Sequence, residues 1–156
     1  MRGGSARRLS AGGAVFRVIA LRRAGPQDVD ALIRIRAAVR ENRLRDPASV
    51  TRADYDWFVA ESRIWLGEID GQVAGFAAGD PRDGTIWALF VDPAQEGAGL
   101  GRLLLARVCA NLRADGHAVL RLTTDPGTRA ARLYRRLGWQ EQGLLRDGEM
   151  AFLLRL

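Results

Sequence analysis

The chain has 156 residues, of which 47% are hydrophobic and 27% charged, and this composition fits one globular domain with a single core. All 24 basic residues are arginines, and they outweigh 18 carboxylates to give a net charge of +6. Six of the arginines precede the first acid, Asp28, so the remainder of the chain is balanced in charge. The basic character therefore belongs to the N-terminal end, which argues against nucleic acid as a partner of the domain.

Residue types that are rare or missing exclude several kinds of site. Cys109 is the single cysteine, which excludes an internal disulfide and favours the cytoplasm. His117 is the single histidine, which excludes a multi-histidine metal site, and the lack of lysine excludes a P-loop and Schiff-base chemistry. No segment is long and apolar enough to predict a membrane span. We therefore predict a cytoplasmic protein that binds no metal and no membrane.

The predicted elements alternate in a regular order along the chain. Residues 1–14 are rich in Gly, Ser, Ala and Arg without apolar periodicity, which predicts a disordered N-terminal extension before a domain over residues 15–156. Apolar runs predict strands, and these lie at 16–21, 64–69, 73–79, 85–91, 119–123, 139–145 and 150–154. Helical spacing and capping signals predict helices at about 26–43, 52–62, 99–116 and 130–137.

A glycine-rich turn follows the predicted strand 85–91 and leads into a helix. Gly97, Gly99 and Gly101 stand at alternate positions, so successive backbone N–H groups can point into one concavity. The helix that follows adds its unpaired amides and the positive end of its dipole, an arrangement that suits a phosphate or pyrophosphate. A tight strand-to-helix connection without a ligand is the alternative. The turn lacks the third glycine of a dinucleotide-binding fingerprint.

A second block, Ala130 to Trp139, contains a tyrosine and ends in Gly138-Trp139. Together with Val91 to Gly101, it resembles the two sequence motifs of the GNAT superfamily of N-acetyltransferases. The resemblance covers residues 15 to 156 and implies a single α/β domain with a mixed central sheet of about seven strands and about four flanking helices. The order of predicted elements, β-α-α-β-β-β-α-β-α-β-β, is the one expected of that fold.

Two positions depart from the pattern of the family. Glu96 stands where an Arg or Gln usually precedes the first glycine, so we expect Glu96 to point outward and to pair with an arginine. Gly127, with Thr128 beside it, replaces an asparagine that often lies seven residues before the tyrosine. Backbone amides can still bind the pyrophosphate, so neither change removes the expected site.

The resemblance implies an acetyl-CoA-dependent N-acetyltransferase that moves an acetyl group directly to a primary amine of a small molecule or peptide. The pantetheine arm is then expected in a gap between 89–91 and 120–124, and the pyrophosphate over the glycine turn. The expected cofactor-binding residues are Leu89, Phe90, Val91, Gly97, Gly99, Leu100, Gly101, Arg102 and Thr128. Tyr134 is the expected catalytic residue, as general acid for the departing thiolate, and a core tyrosine is the alternative.

The acceptor site and the general base are less defined. The candidate acceptor residues are Arg40, Glu41, Trp87 and Glu149, with Arg36 as a second carboxylate-binding candidate and Trp65 as a wall. The base is left open between Glu41, Asp92, Asp125, Glu149 and a water chain. A non-catalytic acyl-CoA-binding or sensing domain, and a nucleic-acid-binding module that uses the N-terminal arginines, are the alternative functions. A homodimer is left open.

Overall fold

The computed structural model describes residues 17–42 and 47–156, and within these ranges it contains one seven-stranded sheet with helices on both faces. The strands are β1 Ile19–Arg23, β2 Ile64–Ile69, β3 Gln72–Asp80, β4 Thr85–Val91, β5 Val119–Thr124, β6 Gln140–Leu144 and β7 Met150–Arg155. The helices are α1 Val29–Ala38, α2 Arg52–Ala60, α3 Leu100–Ala114 and α4 Arg129–Arg136. The predicted order of elements is confirmed, while the predicted extension over residues 1–14 lies outside the described residues.

The sheet opens in its middle. Its strand order is β1-β2-β3-β4-β5-β7-β6, and all neighbours are antiparallel except β4 and β5. A single residue pair, Thr85 with Arg121, joins these two parallel strands, and Arg121 N donates to Gly84 O at 3.1 Å. Because no further pair joins the two strands, their carboxyl ends are left apart and a gap forms between them.

The core is divided between the two faces of the sheet. Helices α1 and α2 cover one face with residues such as Leu32 and Phe58, and α3 and α4 cover the other. Helix α3 lies close to the sheet because glycines replace side chains beneath it: a Cβ on Gly67 would lie 2.4 Å from Leu100 Cδ1. Leu100 is therefore buried between the helix and the sheet, which fixes the N-terminus of α3 beside the end of β4.

Two predicted boundaries are wrong. The first strand was predicted at 16–21 but runs from Ile19 to Arg23, because Arg22 and Arg23 continue the antiparallel pairing with β2 at the edge of the sheet. Helix α1 was predicted to reach Arg43 but ends at Ala38, since Val39 is extended with φ −67° and ψ 144°. None of the helices within the described ranges is long and apolar enough to cross a membrane.

Candidate active site

The turn between β4 and α3 has the backbone geometry of an anion-binding loop. Gly97 and Gly99 have φ values of 86° and 81°, which lie in the left-handed region that favours glycine. Gly99 is the N-cap of α3, and the first bond of the helix runs from Leu103 N to Gly99 O at 3.3 Å. The amides of Leu100, Gly101 and Arg102 therefore have no partner inside the helix, and the positive end of the dipole lies among them.

A cleft of about 1040 Å³ runs from this loop along the gap in the sheet. Its walls are the end of β4, the glycine loop, the end of α1 with the turn after it, and one face of α4. Among the predicted site residues, those that line the cleft are Leu89, Phe90, Val91, Gly97, Gly99, Leu100, Gly101, Arg40 and Glu41. The predicted residues outside its lining are Arg102, Thr128, Trp87, Glu149 and Tyr134.

The register of β4 decides which backbone groups face the gap. Asp92 N donates to Ala74 O at 2.7 Å. Phe90, two residues before Asp92 on β4, lies opposite Phe76 of β3 in the same antiparallel ladder. Because hydrogen-bonded pairs alternate in such a ladder, Phe90 directs its N–H and C=O at β3, while Leu89 and Val91 direct theirs at the gap. Phe90, predicted as a backbone contact, lines the cleft, but its backbone N–H and C=O are used in the pairing with β3.

Two acids at the cleft are held by one arginine. Arg129 Nη1 pairs with Glu96 Oε2 at 2.5 Å, which confirms the expected pairing of Glu96 with an arginine. Arg129 N also donates to Glu41 Oε2 at 2.8 Å, so the Glu41 carboxylate satisfies an N-terminal amide of α4. Glu41, predicted to hold the ammonium of an acceptor, is thus engaged in a bond between two walls of the cleft.

Three arginines of α4 line the cleft, and the sequence interpretation missed them as site residues. Arg129, Arg132 and Arg136 are spaced by three and four positions, which places them on one face of the helix. Arg132 Nη1 also donates to Gly127 O at 3.2 Å, at the turn before α4. The spacing was visible in the sequence, but it becomes meaningful only because α4 stands across the gap from the glycine loop.

Thr128 caps helix α4. Its Oγ1 accepts from Ala131 N at 3.1 Å and donates to Asp125 O at 2.9 Å, and the residue is 7% exposed. The hydroxyl is therefore used at the start of α4, and its proton is not available to donate to a cofactor. The predicted cofactor contact of Thr128 stays a prediction.

Asn42 fixes the wall that follows α1, and the sequence did not mark it as a site residue. Its Oδ1 accepts from Thr124 Oγ1 at 3.0 Å and from Asp125 N at 2.7 Å. Asn42 has φ 55°, a conformation that asparagine tolerates better than most residues. These bonds hold the end of β5 against the chain after α1 and explain why Arg40 and Glu41 face the cleft outside a helix.

Tyr134 is buried in the core beside the cleft. It is 4% exposed, and its ring centroid lies 5.6 Å from Trp139 and 5.7 Å from Phe152. Burial raises the pKa of the Tyr134 phenol well above its usual range, so the hydroxyl stays protonated and can act as a donor. Burial likewise raises the pKa of the Cys109 thiol to about 11, which keeps this cysteine out of its nucleophilic thiolate form at neutral pH.

Three other predicted residues lie away from the lining of the cleft. Trp87 packs in the core on the α1 and α2 face, stacked on Phe58 with ring centroids 4.1 Å apart. Trp65 lies between the guanidinium groups of Arg23 and Arg107, at 4.7 and 5.0 Å, and so covers the edge of α3. Glu149 belongs to the β6–β7 turn, where its carbonyl accepts from Leu145 N at 2.7 Å.

Comparisons with known proteins agree with this geometry. The model of the acetyltransferase (GNAT) family matches residues 30–139. Mycothiol acetyltransferase of Pseudarthrobacter chlorophenolicus is 31% identical in an alignment of 128 positions, which covers 72% of this chain but only 39% of that protein. This chain is thus much shorter than that relative.

Two solved structures share the fold. The structure of yncA from Salmonella typhimurium, which contains acetyl-CoA, has a TM-score of 0.74, 23% identity and coverage of 88% of this chain and 94% of its own. PaiA N-acetyltransferase of Thermoplasma acidophilum, in complex with coenzyme A, has a TM-score of 0.70, 14% identity and coverage of 89% and 99%. With the glycine loop and the Tyr134 block both inside the matched residues, the chain belongs to the GNAT acetyltransferase family.

Proposed function

We propose that this chain is an N-acetyltransferase that uses acetyl-CoA as cosubstrate and transfers the acetyl group directly to a primary amine of a small molecule or peptide. The observation that carries the proposal is the gap between β4 and β5, which begins after a single pairing and ends at the glycine loop. A long ligand with phosphates at one end and amides along its arm matches that shape and that order of groups.

Two regions of the cleft would bind two different parts of the cosubstrate. Its pyrophosphate would lie over the amides of the loop from Gly97 to Arg102, where no intrahelical acceptor competes for them. Its pantetheine amides would pair with the open backbone groups of Leu89 and Val91, as an added strand does. Arg132 and Arg136 of α4 would supply positive charge to the remaining phosphate groups.

The transfer step uses positioning and one proton donor. A neutral amine attacks the thioester carbonyl carbon, a C–N bond forms, the C–S bond breaks, and the amine gives up a proton. The CoA thiolate leaves and takes a proton from the Tyr134 hydroxyl. The proton that the amine releases then returns to Tyr134 through a base or a water molecule. Direct transfer is supported by Cys109, because a thiol with a pKa of about 11 makes a poor acyl carrier at neutral pH.

The finer parts of the interpretation stay predictions. Glu41 and Asp92 both accept backbone amide bonds in this structure, from Arg129 and Ala94, so either would have to release that bond to act as base. Asp125 and Glu149 stay candidates beside a water chain. The cytoplasmic location, the choice between small-molecule and peptide amine, and a homodimer likewise rest on the sequence alone.

An acyl-CoA-binding domain without turnover is the second candidate, because Tyr134 is absent from the lining of the cleft among the described residues. The two functions separate in one experiment. The protein is mixed with acetyl-CoA and a panel of amines, free thiol is followed by a colorimetric reagent, and products are identified by mass spectrometry. Thiol release that depends on the amine and yields an acetylated amine supports the enzyme. Calorimetric binding of CoA without any such product supports the binding domain.

A further inference from the structure

Residues 39–42, which we call the strap, cross from one side of the gap in the sheet to the other, and all four line the cleft. The strap begins at Val39, which is buried in the core cluster of α1, α2 and β4. It ends at Asn42, whose Oδ1 accepts from Thr124 Oγ1 at 3.0 Å and from Asp125 N at 2.7 Å. One end of the strap is therefore fixed on the β4 side of the gap, and the other at the end of β5.

Few other contacts join the two sides of the gap on this face of the sheet. The core cluster under α1 contains residues of β2, β3 and β4, and none of β5, β6 or β7 within the part of the chain that the structure describes. Strands β4 and β5 share one residue pair, at Thr85 and Arg121, and Thr85 is the first residue of β4. Glu41 of the strap adds a second bond to the far side, because it accepts from Arg129 N. On the α1 face, the width of the gap at its open end therefore depends on the strap.

Asn42 is suited to its bonds by its backbone and by its amide oxygen. Its φ of 55° lies in the left-handed region, which asparagine adopts more readily than most residues. A backbone N–H can only donate, so the atom that faces Asp125 N is the amide oxygen, and both of its lone pairs are used. Thr124 is 4% exposed, so loss of the oxygen would leave a buried hydroxyl without this acceptor. The oxygen of Asn42 is thus the atom that joins the strap to β5.

We propose that Asn42 is a positioning residue for acetyl transfer, which fixes the distance between the two walls of the cleft. In the proposed function the thioester lies along β4, whereas the proton donor Tyr134 is carried by α4, which follows β5. Reacting groups must come within about 3–3.5 Å of each other, and a displacement of about 1 Å can cost about 100-fold in rate. The inference rests on the proposed function, because it assigns a role in that reaction. Asn42 acts through Thr124 and Asp125 and not on the reacting atoms.

The test compares variants of the full chain in single-turnover acetyl transfer, with acetyl-CoA and the amine both saturating. The amine is the best acceptor found in the panel described above. Asn42→Gly keeps the left-handed backbone and removes the oxygen, whereas Asn42→Asp keeps an oxygen acceptor at the same place. Thr124→Val removes one of the two donors. Ser62→Gly is the matched control, because Ser62 also has a positive φ, 54°, is exposed outside the cleft, and makes no side-chain hydrogen bond in the described ranges.

We expect Asn42→Gly to lower the single-turnover rate by about 10-fold, less than the full cost of a 1 Å displacement because Glu41 still holds the strap. Asn42→Asp should recover most of the rate, and Ser62→Gly should leave it unchanged. Thr124→Val should cause a smaller fall, and adding it to Asn42→Gly should cause no further loss, since Thr124 acts through the same oxygen. The Kd of CoA from isothermal titration should change by less than about twofold, because its proposed contacts lie on β4 and the glycine loop.

The contrary results separate this inference from the proposed function. If Asn42→Gly transfers acetyl groups at the native rate, whatever its melting temperature, Asn42 is a structural residue only, and the proposed function stands. An equal loss of rate in Asn42→Gly and Asn42→Asp shows that the oxygen is not the cause, and overturns the inference too. If circular dichroism shows that Asn42→Gly is unfolded, Thr124→Val carries the test, and a native rate in that variant overturns the inference. If the native chain acetylates no amine, the proposed function and the inference both fail.

Discussion

Gly99 offers the sharpest test of the phosphate site. A side chain there would strain the backbone at its positive φ, and its Cβ would contact no other part of the protein. Its φ is 81°, and an added Cβ would meet no heavy atom within 4 Å. Gly99→Ala therefore costs about 1–2 kcal/mol of folding free energy from the left-handed conformation alone. For a chain of this size, that corresponds to a fall of roughly 2–8 °C in melting temperature.

Gly116 provides a matched control at the other end of the same helix. Its φ is 98°, and a Cβ there would also meet nothing within 4 Å. Gly116→Ala should therefore lose a similar amount of stability, while its site lies outside the lining of the cleft. Any difference in CoA affinity between the two variants then reports the ligand site and not the strain.

We expect Gly99→Ala to weaken CoA by about 10–100-fold, the equivalent of one or two charge-assisted hydrogen bonds lost from the loop. Gly99→Val, with a branched side chain, should weaken it further. Isothermal titration of CoA into the native chain and both alanine variants measures the effect, and circular dichroism confirms that each is folded. Equal CoA affinities of a folded Gly99→Ala and of Gly116→Ala would refute the placement of the pyrophosphate over this loop.

The other predictions concern charge and proton transfer. Glu96→Gln should tighten CoA about twofold to fivefold at low salt by removing a negative charge and freeing Arg129, an effect that titrations in high salt should remove. Tyr134→Phe should lower the single-turnover acetyl-transfer rate by about 10²–10⁴-fold with CoA affinity unchanged, and a native rate would make Tyr134 a packing residue. Hydrogen bonds from Arg22 lower the pKa of Asp28 in the folded state, so their stabilisation is complete above about pH 4 and is lost as the pH falls through the lowered pKa. Urea unfolding at pH 7 and pH 3 should therefore show Asp28→Asn about 1 kcal/mol less stable than the native chain at pH 7, with a smaller difference at pH 3.

Much of the fold could be predicted because its signals are local. Thr51 and Asp54 form the capping box that their spacing predicts, with Thr51 N donating to Asp54 Oδ2 at 2.7 Å. Asp70 and Gly71 both have positive φ, 52° and 80°, as the predicted two-residue hairpin turn requires. Each of these features depends on residues within a few positions of one another, so the sequence contains the whole cause.

The end of α1 could not be predicted because its cause is distant. Asn42 bonds with Thr124, which lies 82 positions later, and that bond holds the chain after Ala38 out of the helix. The apolar spacing of α1 continues to Val39, so local periodicity favours a longer helix than the one observed. The same distant contacts place Glu41 on Arg129 N and remove it from the set of free acids.

The cleft is positively charged, although the composition of the domain is balanced in charge. Of the three acids that line the cleft, Glu41 and Glu96 are held by Arg129, and Asp92 accepts from Ala94 N. Arg132 and Arg136 stand on one side of the cleft and Arg40 on the other. A domain whose arginines and carboxylates balance in number therefore presents a cleft in which positive groups and open amides predominate. A balanced count excludes a strong long-range field but leaves the local potential undetermined, since that depends on which charges are paired. A ligand that carries several anionic groups, as a CoA thioester does, is what such pairing favours.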